Sequence, residues 1–274
     1  MFKKFTCIAI LVLLLINCQT KPNHEVQEAA ASKLSDKTII DLSHEYSAET
    51  IYWVTAKEFE LDTVFAGDTE NGYYYSANNF ATAEHGGTHI DAPIHFSKTG
   101  QTVEDIPLEH LVGTAIKIDV SANAKGNPDY LVTVEDITNW ETKAGYKIPE
   151  GSIVLLQTGF AKYYPNKEKY LGTTERGDHA VALLHFPGLS PEAAQWLVDN
   201  RSIHAIGIDT PSIDYGQSKL FKSHVILLSQ NIPAFENLTN LDKLPKDGFD
   251  IIGLPMKIKG GTGAPLRIIA LLDN

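Results

Sequence analysis

Ser152-Ile-Val-Leu-Leu-Gln157 is the stretch from which the architecture is read. Four consecutive apolar residues stand between polar ends, without the alternation a half-solvated strand shows. A run this short and this uniformly apolar suits a strand covered on both faces. Ile203-His-Ala-Ile-Gly-Ile208 has the same character, and Gly113-Thr-Ala-Ile-Lys-Ile-Asp-Val120 alternates at period two. Further strands are expected over 38–43, 57–65, 73–80, 249–258 and 267–272. Helices are fewer. Thr133 caps one through about residue 143. Ser190-Pro-Glu192 starts another, with a capping hydroxyl, proline at the first helical position and an early carboxylate. That helix runs to about Asn200, with Trp196 and Leu197 as core contacts. Strands and helices do not follow a regular βαβ repeat, so the expectation is a single α/β domain on a mixed sheet, not a doubly wound one.

The chain has 274 residues, 43% of them apolar and 21% charged, enough for a core without disulfides or a structural metal. Its formal charge is −11, and its lysines and arginines are scattered. Nucleic acid is therefore not an expected partner, because phosphate binding needs a basic patch. The two cysteines, Cys7 and Cys18, precede the expected domain. Any metal site in the domain is left to His, Asp and Glu.

Lys3 and Lys4 precede an apolar run over 5–16, shorter than the roughly 20 residues of a stable spanning helix. This reads as a secretory signal. Leu15-Ile-Asn-Cys18 resembles the lipobox of bacterial lipoproteins, with Asn17 where Gly, Ala or Ser is usual. The resemblance implies lipid attachment at Cys18 and export as a membrane-anchored protein facing the periplasm or cell surface. A plain signal peptide and an uncleaved anchor are the alternatives. The division expected is 1–18 signal, 19–36 flexible tether and 37–274 a single folded domain.

The chemistry concentrates in His85-Gly-Gly-Thr-His89-Ile-Asp91-Ala-Pro-Ile-His95. Three of the chain's ten histidines and an aspartate fall within eleven residues. Neutral imidazole and carboxylate are the usual ligands of Zn²⁺ or Mn²⁺. In an extended chain His89 and Asp91, two residues apart, point the same way. A Gly86-Gly87 turn folds His85 back to the same point. Pro93 disfavours a helix at Ala92.

This stretch resembles the signature of the cyclase family, H-x-G-T-H-x-D-x-P-x-H, which includes bacterial kynurenine formamidases and isatin hydrolases. Every fixed position is matched. Asp41-Leu-Ser-His44, Phe186-Pro-Gly-Leu-Ser-Pro-Glu-Ala-Ala194 and Ile206-Gly-Ile-Asp-Thr-Pro-Ser-Ile-Asp214 resemble other blocks of the family, so the resemblance covers most of the chain after residue 38. It implies a mixed-sheet domain of the swivelling β/β/α type. His85, His89 and Asp91 become metal ligands, and His95 the catalytic acid/base. Asp91 bridges two ions in two-metal members, and His224 and Glu236 complete that site. Trp53 resembles a tryptophan that contacts an aromatic substrate.

The implied reaction is metal-assisted hydrolysis of an amide C–N bond, with one or two Zn²⁺ or Mn²⁺ ions per chain. The substrate is a small aryl amide of the N-formylkynurenine type, or a cyclic amide such as isatin. The resemblance also implies a homodimer or larger homo-oligomer. A non-catalytic metal- or ligand-binding lipoprotein is the reading from another class. His95 argues against it, because a pure binder needs no acid/base beside its ligands. The remaining histidines, His44, His110, His179, His185 and His204, are read as structural or surface residues, His44 through a hydrogen bond. Asp209 and Asp214 are read as shaping loops, and Gly260-Gly-Thr-Gly263 as a turn near the site.

Overall fold

In the computed structural model, residues 36–273 are described; the signal, lipobox and most of the tether expected over 1–35 lie outside them. Alternate residues of one buried strand serve two different cores. Ile153 and Leu155 enter one cluster with Leu42, Ile90, Phe235 and Ile268. Val154 and Leu156 enter another with Ile137, Trp140, Ala193 and Leu197. The period-two geometry of a strand splits its side chains between two faces. Both faces are covered here, which is why the run is apolar throughout.

The strands are β1 (Lys37–Asp41), β2 (Glu60–Asp68), β3 (Tyr74–Ala81), β4 (His89–Asp91), β5 (Val112–Asp119), β6 (Leu131–Val132), β7 (Ile153–Gln157), β8 (Gly188–Leu189), β9 (Ala205–Ile208), β10 (Ala234–Glu236), β11 (Phe249–Pro255) and β12 (Gly263–Asp273). The main sheet runs β1-β12-β11-β5-β7-β9-β10-β4. Strand β4 also pairs back onto β12, so seven strands close into a barrel-like ring and β1 flanks it. Within the ring β5, β7, β9 and β10 are parallel, and the remaining pairs are antiparallel. The sheet is mixed and not doubly wound, as expected, and its closure is a further feature of the structure.

The helices Val134–Ala144 and Pro191–Asn200 cover the outer face of β5, β7 and β9. Their starts follow from local chemistry. Thr133 and Asp136 form a capping box, and the Ser190 hydroxyl accepts the Ala193 N–H. Gly145 ends the first helix in the left-handed conformation, φ 81°. Leu197 is fully buried, and Trp196 packs at the rim of the same cluster. Among the described residues no helix is long and apolar enough to cross a membrane.

Three expectations change. The strand expected over 267–272 is the C-terminal half of eleven-residue β12, whose first residue, Gly263, falls within the expected glycine turn. Strands β4 and β10, three residues each, and the helix Lys222–Leu228 carry no length or periodicity from which to read them. The segments expected over 57–65 and 73–80 are shifted by up to three residues. They form a separate hairpin with Leu61, Val64, Phe65, Tyr74, Tyr75 and Phe80 exposed.

Candidate metal centre

Strand β4 supplies the first two groups. His89 and Asp91 share a face of it, while Ile90 between them faces the inner core. His89 Nε2 lies 3.2 Å from Asp91 Oδ1. His85 returns to the same oxygen, with Nδ1 at 2.6 Å. The two glycines make that return possible. A Cβ on Gly86 would stand 1.9 Å from Tyr52 Cδ1, and Gly87 has φ +56°. The expected convergence of His85, His89 and Asp91 is therefore present.

His224 and Glu236 arrive from elsewhere in the chain and complete the cluster. Glu236 is the β10 partner of His89 in the antiparallel β4–β10 ladder. Its carboxylate lies 3.4 Å from His89 Nε2 and 3.2 Å from His224 Nε2. His224 Nε2 is also 3.0 Å from Asp91 Oδ2. Two donor sets result, His85/His89/Asp91 and Asp91/His224/Glu236, sharing Asp91 between them. Asp91, His89, His224 and Glu236 are each no more than 3% exposed.

Two carboxylates and two imidazoles taken this far from water need compensating charge. Burial alone would raise Asp91, yet His85, His224 and His89 hold it well below the usual carboxylate range. Burial and the charge of Asp91 push Glu236 up. Burial would lower His224, but Asp214, Asp91 and Glu236 hold it well above the ordinary histidine value. His89 is likewise held up against burial, by Asp91 and Glu236. The cluster gathers positive charge on its own imidazoles; a divalent cation delivers the same charge while leaving them neutral. Buried N and O donors around a shared carboxylate fit such an ion.

His95 lies on the short turn Pro93–His95, stacked on His85 with ring centroids 3.8 Å apart. Among the described residues its ring makes no hydrogen bond to protein. Burial, helped by the neighbouring imidazoles and opposed by Asp91, pushes it down to about 4. It is a neutral imidazole free to accept a proton. His95 and the ligand set line a cavity of about 300 Å³, whose apolar wall includes Ile51, Tyr52, Trp53, Phe96, Pro211 and Phe221. On that wall Trp53 meets Phe221 edge-on, with ring centroids 6.0 Å apart.

Asp214, expected to shape its loop, also accepts from a ligand-type imidazole, a contact the sequence does not show. Its Oδ2 accepts from His224 Nδ1 at 2.7 Å and from the His224 backbone N–H at 3.1 Å. The spacing of Asp214 and His224, ten residues apart across a loop, carries no periodic signal. Asp209 does shape a loop, accepting from Thr158 and Gly159. His44 is structural, but through stacking on Tyr164 at 3.7 Å; its Nε2 is buried without the hydrogen bond expected for it. His110 stacks on His204, while His179 and His185 pair with Glu175 and Asp129. None of these joins the cluster.

Comparison with known proteins gives a consistent picture. Residues 40–215 match the family described as "Putative cyclase". The isatin hydrolase of Roseibium aggregatum is 32% identical over 213 residues, covering 74% of this chain and 78% of its own. The kynurenine formamidase of Salinibacter ruber is 28% identical over 232 residues, covering 84% of this chain and 96% of its own. Among solved structures, isatin hydrolase A from Labrenzia aggregata bound to benzyl benzoate superposes with a TM-score of 0.81 at 32% identity, over 91% of this chain and 100% of that one. An isatin hydrolase bound to the product analogue thioisatinate gives 0.81 at 27% identity, over 93% and 100%.

Proposed function

This chain belongs to the cyclase family, and from that premise we propose that it is a metal-dependent hydrolase cleaving the amide C–N bond of a small aryl amide. The observation that carries the reading is one geometry: five ligand-type side chains meet at a buried point, and an unbonded neutral imidazole stands beside them at an apolar cavity.

His85, His89 and Asp91 would hold one ion, and Asp91, His224 and Glu236 a second or the completion of the first. Zn²⁺ or Mn²⁺ suits this donor set. Such an ion supplies Lewis-acid polarisation of the carbonyl and makes water acidic enough, with a pKa near ~7, to attack at neutral pH. The remaining work falls to the chain. His95 accepts the proton of the attacking water on a free ring nitrogen and delivers it to the leaving amide nitrogen. Help of this kind is typically worth ~10²–10⁴ in rate. Trp53, Phe96 and Phe221 pack the aryl ring and exclude bulk water from the reacting carbonyl.

Two substrate classes fit this chemistry. N-formyl arylamines of the N-formylkynurenine type are one. A cyclic aryl amide such as isatin is the other, and the 32% identity and 0.81 TM-score to isatin hydrolases favour it. The test is metal content together with hydrolysis of both substrates, with and without chelator. Chelator-sensitive turnover of either one supports the proposal and chooses the branch. A protein that takes up no divalent metal under replete conditions refutes it. Bound metal without turnover moves the reading to a non-catalytic binding lipoprotein.

The remaining proposals concern placement and assembly. The N-terminal segment through Cys18 directs export and lipid anchoring, and 19–36 tether the domain to the membrane. The assembly is a homodimer or larger. The exposed apolar side chains of the β2–β3 hairpin support this, because an isolated two-stranded ribbon is marginal in water without something to pack against. We also infer that the mixed sheet and its covering helices form a domain of the swivelling β/β/α type.

A further inference from the structure

The Gly260-Gly-Thr-Gly263 segment lies directly against His85. Gly263 pairs with Asp91 in the β4–β12 ladder, so the position of this segment is keyed to the metal-site strand. A Cβ on Gly263 would stand 2.5 Å from His85 Cε1 and 2.5 Å from the Ile90 carbonyl oxygen. Only glycine lets the imidazole rest on the strand backbone there. The neighbouring Thr262 carbonyl accepts the Ala92 N–H at 2.9 Å, a second tie to the residue after Asp91.

Thr262 stands between His85 and Glu84. Its hydroxyl is 2.8 Å from His85 Nε2 and 2.6 Å from Glu84 Oε2, and the same Glu84 oxygen accepts the Thr262 backbone N–H at 3.0 Å. A carboxylate only accepts, so the single hydroxyl proton of Thr262 goes to Glu84. The hydroxyl oxygen is then left with lone pairs facing Nε2, and Nε2 must be the donor. By the same rule Nδ1, 2.6 Å from Asp91 Oδ1, carries a second proton when no ion compensates the carboxylates; in the neutral ring of a metal-loaded site the Nε2 proton stays and the free lone pair is on Nδ1. The other two histidines are held in the opposite sense. His89 Nδ1 donates to the Gly87 carbonyl at 2.9 Å and His224 Nδ1 to Asp214 at 2.7 Å, so both present Nε2.

We propose that Glu84 and Thr262 are positioning residues that lock His85 in its Nε2–H tautomer, so that His85 offers Nδ1 to a divalent cation while His89 and His224 offer Nε2. This rests on the metal-centre reading above. Outer partners of this type orient a ligand ring and raise its basicity, and losing one typically costs about tenfold to a hundredfold in metal affinity. A purely structural staple on the turn would alter stability and leave ligand atom and affinity alone.

The test uses the full chain loaded with Zn²⁺, which is diamagnetic. Long-range ¹H–¹⁵N spectra of its histidines, with His85 assigned through His85→Gln, report which ring nitrogen carries the proton. Competition with a chromogenic chelator reports Zn²⁺ affinity. His85 is expected protonated on Nε2 and metal-shifted on Nδ1, with His89 and His224 reversed. Thr262→Val and Glu84→Ala are expected to weaken Zn²⁺ binding about tenfold to a hundredfold, and Thr262→Ser, which keeps the hydroxyl, to restore it to within about threefold. A His85 protonated on Nδ1 overturns the proposal. So does parent affinity in a folded Thr262→Val. If that variant does not fold, the parent spectrum decides alone. A parent chain that binds no Zn²⁺ overturns the metal-centre reading itself, a failure distinct from bound Zn²⁺ with unchanged variants.

Discussion

Replacing Asp214 with alanine removes an acceptor that four donors share. Its Oδ2 takes the His224 ring N–H at 2.7 Å and the His224 backbone N–H at 3.1 Å. Its Oδ1 takes the Ser218 hydroxyl at 3.2 Å and, more weakly, the Ser223 backbone N–H at 3.3 Å. Asp214, Ser223 and His224 are all buried, so water cannot replace the lost oxygens. A buried donor left unpaired costs roughly 1–3 kcal/mol, and breaking one side of a buried ion pair about 3–5 kcal/mol. The donors are neighbours and their costs do not add. About 3–5 kcal/mol of destabilisation is therefore expected for Asp214→Ala. Asp214→Asn keeps one carbonyl oxygen for His224 and should lose about 1–2 kcal/mol. Urea unfolding in excess chelator measures both without a contribution from bound metal. Metal affinity, measured separately, should fall about tenfold to a hundredfold in the alanine variant, because His224 loses the group that orients it. An Asp214→Ala protein within about 1 kcal/mol of the parent, with parent metal affinity, would refute the reasoning and return Asp214 to a loop-shaping residue.

His95→Ala is expected to keep metal content unchanged and to lower turnover by ~10²–10⁴; equal activity in a metal analysis-matched sample removes His95 from the chemistry. Burial pushes His44 from the ordinary 6.5 down to about 4, so its folded form binds fewer protons than its unfolded form between those values. Its contribution is fully present above pH ~6.5 and lost as pH falls toward ~4, about 3 kcal/mol in all. Urea unfolding at several pH values should show a shallower acid loss for His44→Phe, which keeps the ring stacked on Tyr164. Gly207→Ala places a Cβ 2.7 Å from Leu155 Cδ2 and 2.8 Å from Leu238 Cδ1, and a loss of about 1–3 kcal/mol is expected from thermal unfolding; an unchanged midpoint would mean the core has slack there. If the hairpin buries its apolar side chains against a second copy, Tyr74→Ser with Phe80→Ser shifts sedimentation toward monomer, and a monomeric parent ends that reading.

Much of the fold is legible because its signals are local. Alternation in β5, uniform apolarity in β7 and β9, and the caps at Thr133 and Ser190 each depend on a few adjacent residues. The closure of the sheet is not legible. It depends on β4 and β10, whose three residues each are too short for any periodicity, and on β12 starting inside a glycine-rich segment. Such strands are strands because partners on both sides hydrogen-bond to them, and no propensity of their own marks them.

The site divides along the same line. His85, His89, Asp91 and His95 are recognisable within eleven residues because strand alternation and a glycine turn bring near neighbours together, and short-range geometry is written in short-range sequence. His224 and Glu236 were identified by family resemblance and not by spacing. The folded chain alone seats Asp214 on His224, Thr262 and Glu84 behind His85, and Phe96 and Phe221 on the cavity wall with Trp53. These contacts span from ten to 178 residues of chain. The contact of Thr262 with His85 follows from the β4–β12 ladder, which sets the register of these distant segments to within one residue. Residue types and their spacing are enough to name the groups able to bind a metal. The folded chain decides what stands behind each of them, because a hydrogen-bond partner is a neighbour in space.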